Sequence, residues 1–130
     1  MHVGAIGGNV ARTQVTDVEP ERLRGLTQLE WLNLDSTQLT DTGLARLRGL
    51  TKLRSLCLSS TEVSDAGLVH LRGLAQLQAL GLSDTEVTDA GLVHLRRPSG
   101  LRWLSLDETL VSDAAVAELQ KALPNCEIVR

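Results

Sequence analysis

Phenylalanine and tyrosine are absent from this chain, and its two tryptophans are the only aromatic residues. A core drawn from 130 residues at 42% apolar composition must therefore be aliphatic. Cysteine is scarce: Cys57 and Cys126 stand far apart and outside any paired motif. That excludes a disulfide framework and leaves two free thiols, which suit a reducing compartment. No apolar run approaches the length of a membrane span, and residues 1–10 lack the charged and apolar regions of a secretory signal. These absences favour a cytoplasmic location and argue against a membrane partner. The net charge of −3 gives no electrostatic case for nucleic acid.

What the chain has in abundance is leucine at fixed intervals. Leu29, Leu32, Leu34, Thr37 and Leu39 recur 24 residues later as Leu53, Leu56, Leu58, Thr61 and Val63. They recur again as Leu77, Leu80, Leu82, Thr85 and Val87, then as Leu101, Leu104, Leu106, Thr109 and Val111. A period in this range signals a stack of identical supersecondary units, each unable to bury its apolar face alone.

The full unit reads GLxxLxxLxLxxTxVTDxGLxxLR. It resembles the leucine-rich-repeat family, whose core motif is LxxLxLxxNxL, with Thr where Asn is usual. The TDxGLxxL half is similar to the cysteine-containing subclass of F-box proteins and of many bacterial arrays, although the cysteines of that subclass are missing. The resemblance implies an α/β, right-handed solenoid with parallel strands on a concave face and short helices on a convex face. We read residues 1–130 as a single domain. A degenerate first repeat occupies 1–24, repeats follow at 25–48, 49–72, 73–96 and 97–120, and a C-terminal cap occupies 121–130.

The residues themselves support this architecture. Alternation in the LxL segment marks a short strand with leucines facing inward. Thr13, Thr37, Thr61, Thr85 and Thr109 form a column where the chain leaves the strand, and their hydroxyls are placed to satisfy backbone groups there. Thr40, Ser64, Thr88 and Ser112 each precede an aspartate and a helical apolar pattern, as helix caps do, and Arg48, Arg72 and Arg96 complement the helix ends. The stack ends are degenerate. Ala5, Gly8 and Val10 are small strand positions, Pro20 and Pro98 replace leucines, and Ala115 replaces the helix glycine. Ile128 falls in register with Leu32 as a final strand, while Cys126 sits one place off register.

No catalytic constellation stands out, and no enzyme activity, cofactor or metal is expected. His70 and His94 share one column on the convex helix surface and read as solvated, with no further ligand beside them. Cys57 has no histidine in register to activate it.

Residues 49–72 and 73–96 agree at 17 of 24 positions. Four of the differences fall on or beside the outward strand face: Arg54/Gln78, Ser55/Ala79, Cys57/Gly81 and Ser60/Asp84. Helix and core are nearly copied while this face changes. Trp31 and Trp103 occupy one outward column, three repeats apart, with Ser55 and Ala79 between them. At ~4.8 Å per strand their indoles stand roughly 14–15 Å apart. Beside them runs a second small column of Asn33, Cys57, Gly81 and Ser105. Around both, Glu30, Asp35, Asp84, Asp107 and Glu108 outnumber Arg12, Arg54 and Arg102. Gln78 completes the row of Glu30, Arg54 and Arg102.

These positions predict a non-catalytic module that binds a protein or peptide, one with a basic segment, on the concave face, with Trp31 and Trp103 as anchors. The alternative is a structural scaffold or a fragment of a longer array. A monomer is expected.

Overall fold

Six strands pair in parallel in the order of the chain, one per repeat, in a single sheet. The structure is a computed structural model that describes residues 7–9, 27–97 and 100–130. Ala5, Val10, Arg12, Thr13, Pro20 and Pro98 lie outside the described residues. The strands are β1 (Gly7–Asn9), β2 (Trp31–Asn33), β3 (Ser55–Cys57), β4 (Ala79–Gly81), β5 (Trp103–Ser105) and β6 (Glu127–Val129). Their register follows the 24-residue period, so Gly8, Leu32, Leu56, Leu80, Leu104 and Ile128 are successive partners. The expected pairing of the last strand through Ile128 therefore holds.

Backbone pairing reaches past these three-residue strands. At the entry, Glu30 O accepts from Arg54 N (2.6 Å) and Ser55 N (3.1 Å), and the next coils repeat the pattern. At the exit, Ser36 N donates to Ser59 O and Ser60 N to Ser83 O, both at 2.9 Å. Ser36, Ser60, Asp84 and Glu108 then take positive φ of 54–59°, which turns the chain away from the sheet. Left-handed backbone at four non-glycine residues is a local cost. It is offset by the very next residue. The hydroxyls of Thr37, Thr61, Thr85 and Thr109 donate to the carbonyls of Leu34, Leu58, Leu82 and Leu106 at 2.6–2.7 Å. The threonine column thus closes the turn on its own carbonyl.

Behind the sheet run α1 (Asp41–Ala45), α2 (Asp65–Leu68) with a 3-10 turn over Val69–Leu71, a 3-10 helix over Asp89–Arg96, and α3 (Asp113–Ala122). The convex elements are short, and those over Val69–Leu71 and Asp89–Arg96 are the tighter 3-10 form, until the regular α-helix of the last. Between them and the strands the described leucines other than the exposed Leu110 are buried in one aliphatic core, which Cys126 joins at its far end. Cys126 does so although it is one place off register, because Asn125 stays exposed and yields the inward position to it.

The expected capping by Thr40, Ser64, Thr88 and Ser112 needs correction. Thr40 and Ser64 make no side-chain capping bond. Thr88 Oγ1 accepts from Ala90 N at 3.3 Å and Ser112 Oγ from Ala115 N at 3.1 Å. The stronger bonds run between repeats. Asp41 accepts from Ser64 N (2.7 Å) and Ser64 Oγ (2.5 Å). Asp65 accepts from Thr88 N (2.8 Å) and Thr88 Oγ1 (2.5 Å). Asp89 accepts from Ser112 N (2.6 Å) and Ser112 Oγ (2.7 Å). Each aspartate therefore clamps its own helix start to the next one, and charge-assisted bonds of this kind are the stronger class.

The clamp explains the helix glycine. A Cβ on Gly67 would lie 2.3 Å from Asp41 Oδ1 and 3.2 Å from Leu44 Cδ2. On Gly91 it would lie 2.3 Å from Asp65 Oδ1 and 3.0 Å from Leu68 Cδ1. Where Ala115 stands instead, Asp89 is exposed rather than half-buried, and the segment becomes a regular ten-residue helix.

Three substitutions test this packing. Leu56→Ala, at a fully buried central position, costs ~2–5 kcal/mol and lowers the urea midpoint of the whole described core. His70→Ala, on the convex side, should cost far less, and equal losses would contradict the facing assigned to the two residues. Gly67→Ala, which on helix propensity alone should gain ~0.5–1 kcal/mol, instead loses ~1–3 kcal/mol through crowding of the Asp41 carboxylate. A raised melting temperature for Gly67→Ala would refute the clamp.

Candidate functional site: the concave strand face

The strand register sets the concave columns. Gly7, Trp31, Ser55, Ala79, Trp103 and Glu127 are successive partners in one, and Asn9, Asn33, Cys57, Gly81, Ser105 and Val129 in the next. Trp31 and Trp103 are 40% and 39% exposed, with half-buried Ser55 and Ala79 between them. Both indoles thus stand on the outward face of a sheet whose inward face is packed with leucine.

The second column corrects part of the expected contact surface. Gly81 and Ser105 are buried. A Cβ on Gly81 would meet the Trp103 ring at 3.9 Å and Ser59 Oγ at 3.3 Å, so the glycine lies under that indole. Ser105 Oγ donates to Asp107 Oδ1 at 2.6 Å and is within hydrogen-bond contact of Ser83 Oγ, which also donates to Asp107. Gly81 and Ser105 form a floor and leave contact to taller neighbours. Asn33 and Cys57 are half-buried, and Asn33 Oδ1 accepts from Asp35 N at 2.9 Å.

At the strand exit, Asp35 Oδ1 accepts from Ser59 N at 2.8 Å, and Asp84 Oδ2 accepts from Ser60 Oγ at 2.9 Å. Asp84 and Glu108 are exposed and occupy left-handed turn positions, which aim them outward at the rim. At the strand entry Arg54, Gln78 and Arg102 are exposed, and Arg54 Nε lies 3.9 Å from Glu30 Oε1. That pair is exposed on both sides and adds little to stability.

The sequence reading missed three residues of this face: Ser59 and Ser83, which brace its aspartates, and Glu127, which stands beside Trp103. Glu127 was within reach, since Ile128 in register places it in the tryptophan column.

The hydrogen bonds tune the carboxylates. Donation from Ser105, then from Ser83, holds the Asp107 carboxyl below its ordinary value, and the Ser112 hydroxyl and amide do the same for Asp89. The Cys57 thiol is pushed up, first by burial and then by Asp35, with Ser55 opposing. A thiol held protonated is a poor nucleophile. His70 and His94 are half-buried rather than fully solvated, and burial, then Arg48, lowers the His70 pKa. Among the described residues no group of three or more His, Cys, Asp or Glu side chains is placed to hold a metal ion. Among them, too, no helix is long and apolar enough to cross a membrane.

The parallel sheet, one strand and one helical segment per 24 residues, is the fold of the leucine-rich-repeat proteins. No family model and no curated protein matches the sequence. Solved structures do. An internalin C2 from Listeria monocytogenes is 31% identical with a TM-score of 0.79, over 94% of this chain and 49% of that one. A second internalin from Listeria monocytogenes is 18% identical with a TM-score of 0.62, over 93% and 39%. A leucine-rich-repeat protein from Leptospira interrogans is 20% identical with a TM-score of 0.66, over 96% and 37%. The last two likenesses are of fold alone. The chain spans less than half the length of each of these structures.

The lowered carboxylates give stability a pH dependence. A folded-state pKa below the unfolded value of 3.8 contributes stability that is full above that value and is lost as pH falls through the native one. Chemical denaturation from about pH 6 to about pH 2 should show this loss below about pH 4, and Asp107→Asn should flatten it. An unchanged slope in the variant would mean that Ser105 and Ser83 do not hold the carboxylate.

Proposed function

We propose that this chain is a non-catalytic module that binds a protein or peptide on its concave strand face, with Trp31 and Trp103 as anchors. One observation carries the reading. The only two aromatic side chains are both exposed, on one column of a rigid sheet, flanking a floor of small residues. An exposed indole offers large contact area and has few torsions to freeze, which is why tryptophan is enriched among interface hot spots. Ser55, Ala79 and Gly81 leave room between the rings for partner side chains, and Asn33, Cys57 and Gln78 line the path. Glu30, Asp35, Asp84, Asp107 and Glu108, joined by Glu127, favour a partner segment carrying Lys or Arg over an acidic one. The likeness to other leucine-rich-repeat structures supports a binding role over catalysis. So does the burial that raises the pKa of the Cys57 thiol and disfavours a nucleophilic thiolate.

The test compares the intact chain with the Trp31→Ala/Trp103→Ala variant as bait in a host extract. A protein held by the wild type should bind either single variant more weakly by ~2 kcal/mol, about 30-fold. Circular dichroism and the melting temperature should be unchanged, and association of the wild type should slow as salt rises. Retention of the same partner at full affinity by the double variant would refute the anchor role.

A further inference from the structure

Charge is segregated around each coil. From the turn after the strand to the helix start the chain carries carboxylates, among them Asp35, Glu62, Asp84, Glu86, Asp107 and Glu108. Among the described residues the single base in this sector is Arg130, which pairs with Asp113. From the helix end to the strand entry it carries bases, among them Arg48, Lys52, Arg54, Arg72, Arg96 and Arg102, against Glu30 and Glu118. Because all strands are parallel and in register, these sectors become two opposite edges of the sheet, one acidic and one basic.

Helix polarity explains part of this: Asp41, Asp65, Asp89 and Asp113 open helical segments, and Arg72 and Arg96 close them. It does not explain Glu62, Glu86, Asp84, Glu108 or Lys52, which lie outside the helices. Nor does it remove the repulsion between Glu62 and Glu86, between Asp84 and Glu108, or along Arg48, Arg72 and Arg96, which occupy equivalent positions of successive coils one strand spacing (~5 Å) apart. An external counter-charge with the same period relieves that repulsion. Each edge of this chain is matched in sign and in spacing by the other edge of a second copy, since one repeat generates both.

We propose that the acidic edge of one copy pairs with the basic edge of another. The pairing is heterologous, because a two-fold dimer would set like edges together. Single exposed ion pairs are weak, so association depends on several acting together and is screened by salt. This departs from the monomer expected on reading the sequence. Asp84, Glu108, Arg54 and Arg102 border both this contact and the concave face, whereas Glu62, Glu86, Arg72 and Arg96 lie off that face, so variants at these four separate the two readings.

Sedimentation velocity over a concentration series tests it, at about 20 mM and about 500 mM salt, where the screening length shrinks severalfold. The sedimentation coefficient should rise with concentration at low salt, and at high salt the rise should be lost. The variants Arg72→Glu/Arg96→Glu and Glu62→Lys/Glu86→Lys should each stay monomeric at low salt, and an equimolar mixture should associate again. Circular dichroism checks that both are folded, and the single variants Arg96→Glu and Glu86→Lys provide a second complementary pair should either double variant be unstable. A wild type that is monomeric at low salt overturns the proposal, as does a folded complementary pair that fails to associate on mixing. Monomeric wild type that binds heparin through Arg72 and Arg96 would overturn it in favour of a polyanionic partner.

Discussion

One coil of this solenoid is too thin to bury its own leucines, so everything else depends on a neighbour stacked in register. Leu32, Leu56, Leu80 and Leu104 are each essentially inaccessible to solvent because a copy of the same side chain lies on the next strand. That requirement explains the unbroken 24-residue spacing: an insertion in one coil would set polar residues against leucines in the next. The Asp41–Ser64, Asp65–Thr88 and Asp89–Ser112 clamps fix the same register on the convex side, so the four coils they join are held together at both layers.

The stacking requirement also divides the surface. Inward strand positions, the turn threonine, the clamp aspartate and the helix glycine are each committed to packing or hydrogen bonding. The outward column of Trp31, Ser55, Ala79 and Trp103 lies on the face opposite the leucines, so its identity is free to change from coil to coil. Its four residues share one backbone environment and range in size from a methyl group to an indole. Contact specificity can therefore vary without disturbing the fold, which is the physical basis for placing function there. The same logic produces the charged edges, because any residue kept at one point of the repeat becomes a column.

Most of the fold was legible because periodicity reports packing directly. The strand register, including Gly8 in the first coil and Ile128 in the last, followed from spacing alone. The role of the Ser/Thr-Asp pair did not. Local sequence makes Ser64 a helix cap, whereas its hydroxyl and amide serve Asp41 of the preceding coil, a contact that exists only after stacking. The burial of Gly81 was hidden for a related reason: it depends on Trp103 leaning over it from the neighbouring strand. The tryptophan column was visible in advance, but Glu127 beside it was overlooked because the terminal strand departs from the repeat at Cys126. His70 and His94 show the limit of facing arguments, since a convex position is half-covered when the coils are this close.

The account rests most heavily on a rigid stack that presents both indoles to solvent before any partner arrives. Quenching of tryptophan emission by acrylamide, a neutral quencher indifferent to the acidic surround, reads this directly because no other aromatic residue contributes. The account predicts red-shifted emission from the folded chain, with both Trp31 and Trp103 quenched efficiently in the corresponding single-tryptophan variants. Blue-shifted emission protected from acrylamide, in a chain shown to be monomeric under the conditions used, would mean that the rings are buried. The concave face would then be part of the packing and not a binding surface.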